Sequence, residues 1–115
     1  MTKTYDLEDR TFKFAKDVFD YVNNLPKTLT NIETGKQLIR SGGSVGANYI
    51  EANESLGKKD FAMKIKISRK EAKESRYWLR LSEPKTEFFP QQERLIQEST
   101  ELMNIFGAIL KKVSD

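Results

Sequence analysis

Gln37 to Ala52 runs QLIRSGGSVGANYIEA, and the architecture of the whole chain turns on whether its glycines make a loop. Ser41-Gly42-Gly43-Ser44-Val45-Gly46 has the composition of a turn. The apolar phase argues otherwise. Leu38, Val45 and Ala52 recur every seven residues, and Ile39, Tyr49, Ile50 and Leu56 fit the same face. The spacing predicts one helix from Thr30 or Asn31 to Ser55. A glycine inside a helix costs about 1 kcal/mol, so something must offset it. Gly35, Gly42 and Gly46 fall on or beside the apolar face, where a missing side chain would admit a neighbouring helix. Two shorter helices around a Gly-rich turn are the alternative. No Gly-Lys-Ser/Thr closes the cluster, so it is not a phosphate loop.

Three more amphipathic segments flank this one. The first spans Asp6 to Asn24, with Asp6 as its cap and Leu25-Pro26 as its end. Its Leu7, Phe14, Ala15, Val18, Tyr21, Val22 and Leu25 share an arc of about 120°. The third runs from Lys58 or Asp60 to Leu81, with Phe61, Ile65, Ser68, Ala72, Ser75 and Leu79 alternating in steps of four and three. After Pro84 and Pro90, the fourth runs from Gln91 to Val113, with Leu95, Leu102, Phe106, Ile109, Leu110 and Val113 inward. Four helices with short connections predict an all-α, antiparallel up-down-up-down four-helix bundle, with residues 1–115 as one domain.

Composition narrows the chemistry. The 115 residues include no Cys and no His, and 32% are charged. That removes Ser/His and Cys/His nucleophilic pairs, His acid–base catalysis and thiolate metal sites. Paired carboxylates survive: Glu51/Glu54 and Glu71/Glu74 superficially resemble a di-iron bundle, but such sites want a Glu-x-x-His motif on two helices. A binding protein with no cofactor and no metal is the expectation. No apolar run reaches the roughly 18 residues of a membrane span, and the N-terminal ten residues carry no leader pattern, so the expected compartment is cytoplasmic.

The charge is segregated. The chain carries +3 overall, yet the third helix holds nine Lys/Arg against three Asp/Glu while each other helical region is acidic. Lys58, Lys59, Lys66, Arg69, Lys70, Lys73, Arg76 and Arg80 fall within an arc of about 120° beside the apolar seam; only Lys64 lies elsewhere. Crowding cations repel one another, so the stripe points to an anionic partner, nucleic acid above all. The bland alternative is a solvated face, partly paired with carboxylates of neighbouring helices. Lys66, Arg69, Lys70, Lys73, Arg76 and Arg80 are the expected backbone contacts, with Arg40 joining them. Tyr77 falls inside the arc, where it could stack on a base.

On the other side of that helix, Met63, Ile67, Trp78 and Leu81 form a second apolar strip. One core does not easily bury two faces of a helix, so the strip predicts an oligomer interface; a thick core wrapping Trp78 is the competing account. The second helix turns Gln37, Arg40, Ser44, Asn48, Glu51 and Ser55 outward. These are polar but carry little charge, as on a packed surface, with Asn48 and Glu51 placed for a hydrogen-bonded network.

Two runs also resemble a known family. Gln37 to Glu51 is similar to its QLxRSxxSxxANxxE segment, and Asp60 to Leu79 to its DFxxKxxIxxKEAxExxYWL segment; Glu101 to Lys112 is similar to its last helix. The family is that of the proteins encoded within intervening sequences of bacterial 23S ribosomal RNA genes. Ala52-Asn53 departs from its pattern, where Glu-Gly is usual. The resemblance implies a four-helix bundle assembled as a homopentamer. Related accessory proteins of retroelements form basic barrels that contact a reverse transcriptase and nucleic acid. The expected partners are therefore RNA rather than DNA, further copies of the chain and, as the alternative, an acidic protein surface docked by a scaffold.

Overall fold

The structure, a computed structural model, describes residues 6–114; Met1–Tyr5, where the leader reading began, and Asp115 lie outside them. Its elements are α1 (Leu7–Asn23), α2 (Leu29–Asn53), α3 (Lys58–Leu81), a 3₁₀ turn (Thr86–Phe88) and α4 (Phe89–Ser114). The all-α four-helix architecture is as expected. The helices pair in chain order and form a slab of 45 × 37 × 19 Å, in which the closing α1–α4 seam is thinner than the seams between consecutive helices.

Local signals explain the boundaries. The Asp6 carboxylate accepts from the Asp9 amide at 2.8 Å and caps α1. Pro26 prevents its continuation, and Thr28 caps α2 by accepting from the Asn31 amide. α2 thus begins before the predicted Thr30 or Asn31 and ends before Ser55. α4 begins before Gln91, since Pro90 fits the first helical turn, where its missing N–H is no loss.

α2 is continuous through its glycines, and the reason is visible across the α1 interface. A Cβ at Gly35 would stand 3.0 Å from Val22 Cγ1, one at Gly42 3.0 Å from Val18 Cγ1, and one at Gly46 2.8 Å from Thr11 Oγ1. As α2 descends, α1 ascends: the two run antiparallel with backbones too close for side chains. Small polar residues serve α2 and α3 similarly. Ser68 Oγ donates to the Val45 carbonyl at 2.9 Å, and Ser75 Oγ meets Ser41 Oγ at 3.0 Å. All three serines are fully buried.

The core is Phe14, Val18 and Tyr21 of α1, Leu38, Val45 and Ala52 of α2, Ile65, Ala72 and Leu79 of α3, and Leu95, Leu102 and Phe106 of α4. The expected inward placement of Ile39, Ile50 and Leu56 does not hold. Ile39 and Ile50 are 42% and 47% exposed, and Leu56 lies beyond the end of α2. The close approach at the glycines brings α1 over one flank of α2, so residues a little further round that flank emerge beside it.

Two polar devices close the slab. At one end, Asn31 Nδ2 donates to the Pro26 and Glu83 carbonyls at 2.9 and 3.0 Å, while its Oδ1 accepts from the Glu83 amide at 3.0 Å. This ties the α1–α2 and α3–α4 connections together. Across the thin α1–α4 seam, Arg10 makes two 2.7 Å bonds to Glu98 and one of 2.9 Å to Glu101.

Candidate nucleic-acid interface

The cationic stripe arises from helical phase. On α3 the buried residues are Ile65, Ser68, Glu71, Ala72, Ser75 and Leu79. The cations one and two positions further round emerge on the α4 side. Lys66, Arg69, Lys70, Lys73 and Arg80 are exposed and Arg76 is half-buried. From Lys66 to Arg80 the row is about 21 Å long at 1.5 Å per residue.

Two residues of α4, neither singled out by periodicity or charge, shape its lower border. Arg69 crosses α4 at Gly107, where a Cβ would stand 3.8 Å from its Cζ. Arg76 Nη1 donates to Thr100 Oγ1 at 3.3 Å. Small residues at these positions leave a low shoulder on which both guanidinium groups rest. A glycine inside a strongly helical, amphipathic run is the only sequence signal that could have pointed there.

Among the described residues five cations make ion pairs, whereas Lys16, Lys27, Lys85, Arg94, Lys111 and Lys112, outside the stripe, make none. Arg10 has Glu98 and Glu101, Lys13 has Asp17, Lys36 has Glu33, Arg40 has Glu74, and Lys64 has Glu51. None of these lies in the stripe. Among the described residues, Lys66, Arg69, Lys70, Lys73, Arg76 and Arg80 make no ion pair. Arg40, expected to join them, differs in having an ion pair: its guanidinium, which is exposed, reaches Glu74 at 3.3 Å on the α2-facing side of α3. Lys64, predicted to stand apart, is held by Glu51 at 2.8 Å, which pushes its pKa up.

That α2-facing side carries the acidic groups. Burial pushes the Glu71 carboxyl above its ordinary value, and the neighbouring Glu74 adds to the shift against the opposing pull of Arg40 and Lys70. The expected Asn48–Glu51 network is absent, since Asn48 Nδ2 bonds the Ser44 carbonyl and Glu51 takes Lys64. Among the described residues no group of three or more candidate metal ligands forms, so Glu51/Glu54 and Glu71/Glu74 are not brought to one centre.

The strip Met63, Ile67, Trp78 and Leu81 divides between surface and core. Met63 and Leu81 are exposed, whereas Ile67 and Trp78 are half-buried, and Trp78 packs on the core. A longer apolar face was not foreseen. Phe12 and Phe19 of α1 and Ile32, Ile39 and Ile50 of α2 are exposed, and Phe12 and Ile50 line a groove at the glycine seam with Ala15, Gly43, Gly46, Ala47 and the acidic Glu8 and Asp9.

A family model for the 23S rRNA-intervening sequence protein matches residues 3–108. The chain belongs to that family. Among solved structures, this family member is similar to a protein of unknown function from the S23 ribosomal protein family of Bacteroides thetaiotaomicron. The two are 30% identical with a TM-score of 0.77, and the match covers 92% of this chain and 99% of that one. No curated protein matches it. Among the described residues no helix is long and apolar enough to cross a membrane.

Proposed function

We propose that this family member is a non-enzymatic, cytoplasmic binding protein that holds nucleic acid, RNA in preference to DNA, along the exposed edge of α3. One observation carries the reading: six cations are aligned along a single edge of α3 and make no ion pair among the described residues. Unpaired, aligned cations are costly to a folded surface unless an anionic polymer releases its counterions there.

The working form is a homo-oligomer, a pentamer by the family likeness. The exposed apolar rows on α1 and α2 support self-association, since contiguous apolar patches of this kind mark contact surfaces. Met63 and Leu81 supply a smaller apolar patch on α3. A second reading, docking of the stripe on an acidic partner such as a reverse transcriptase, rests on the same cations and predicts copurification that survives nuclease.

Sedimentation of the purified protein with and without RNA at two salt concentrations tests the proposal. The expected result is an oligomer at both salts and a faster RNA-bound species at about 50 mM that disappears near 200 mM. A monomer whose sedimentation RNA never changes would overturn it.

A further inference from the structure

Tyr77 is the one aromatic ring within the cationic arc, and it is 56% exposed. It stands seven and four residues after Lys70 and Lys73 and three before Arg80, the spacing that places all four on one helical face. Its ring is braced rather than free. The Trp78 ring lies 5.1 Å away, centroid to centroid, at an interplanar angle of 73°, and Trp78 is itself packed on the core. A rigid aromatic face flanked by cations is the arrangement that stacks an unpaired base while its phosphates are neutralised on either side.

The rest of the surface favours a single strand as well. α3 does not stand proud: α2 and α4 flank it in a slab 19 Å thick. A helix so flanked does not enter a major groove about 12 Å wide, and A-form RNA closes its major groove to side chains altogether. Arg69 passes close to Gly107 of α4 and Arg76 bonds Thr100, so both guanidinium groups lie near the α4 flank of the stripe.

We infer that the stripe binds unpaired nucleic-acid strands, with Tyr77 as the stacking platform and the flanking lysines and arginines as phosphate contacts. This rests on the nucleic-acid reading above and adds a class of substrate to it. Binding is sequence-tolerant, because every base presents a π-face.

Fluorescence anisotropy with labelled oligouridine and oligoadenosine of about 15 nucleotides, beside an RNA duplex of equal length, tests it. The intact chain is expected to prefer the single strands. Tyr77→Ala weakens single-strand binding by about tenfold and leaves duplex binding unchanged, while Tyr77→Trp retains it. A parallel readout is the emission of Trp78, the sole Trp, which a base stacked on Tyr77 perturbs and duplex does not. Equal affinity for both forms with Tyr77→Ala neutral overturns the single-strand inference and leaves nucleic-acid binding standing. Binding to none of the probes overturns both. Far-UV circular dichroism confirms that Tyr77→Ala remains helical.

Discussion

Gly46 of α2 lies against Thr11 of α1 so closely that a Cβ would stand 2.8 Å from Thr11 Oγ1 and 3.1 Å from its Cβ. Thr11 cannot easily yield, being 1% exposed with its hydroxyl bonded to the Glu8 carbonyl. Three residues earlier, Gly43 has nothing within 4 Å of the same construction. Gly46→Ala should therefore destabilise by about 1–3 kcal/mol through overpacking. Gly43→Ala should stabilise by about 1 kcal/mol through helix propensity. Urea unfolding of the two variants separates them; equal effects would refute the close-approach account.

Asn31 joins both loops at one end of the slab with three hydrogen bonds of 2.9–3.0 Å. Asn31→Ala leaves the Glu83 amide and carbonyl without their partner, at an expected cost of about 2–4 kcal/mol. The midpoint of urea denaturation reports it. Asn31→Asp keeps the acceptor for the Glu83 amide but loses the donor, and should fall between.

Much of this fold was legible because the signals were local. The seven-residue spacing of Leu38, Val45 and Ala52 outweighed the turn-like composition of Ser41–Gly46, and the phase of the glycines foretold the close helix. What escaped depended on neighbours. Periodicity places Ile39 and Ile50 near the apolar face, but only the lateral position of α1 decides that they emerge. The stripe was readable as a charge pattern on α3; the pairing of Arg40 with Glu74 and the shoulder at Thr100 and Gly107 required a second helix. Asn31, at the start of α2, carried no sign that it would bind residue 83.

Glu71 is 9% exposed, and burial followed by repulsion from Glu74 raises its pKa above 4.5. The folded state thus holds this proton more tightly than the unfolded chain. The stability it contributes is complete below the ordinary carboxylate value and is lost as pH rises through the raised one. Glu71→Gln should raise Tm at pH 7 and should lose the gain this group gives on acidification. Thermal melts between pH 7 and 4, comparing variant with parent, check the sign; a lowered Tm at pH 7 would contradict it.

On the proposed reading, the cations of the stripe serve recognition rather than folding. Replacing Lys66, Arg69, Lys70 and Lys73 with alanine removes no ion pair among the described residues, so Tm should hold or rise as repulsion is relieved. RNA affinity should fall steeply. Alanine at Arg40, already paired with Glu74, should affect RNA binding far less.

The most direct test is the salt dependence of RNA affinity, measured by anisotropy for the parent chain and the four-alanine variant. Six cations neutralising about 0.7 counterions each predict a log–log slope near −4 for the parent, a loss on the order of 10²-fold between about 50 and 200 mM, and a markedly shallower slope for the variant. A flat salt response, or the same slope from both proteins, would contradict a polyanion on this edge.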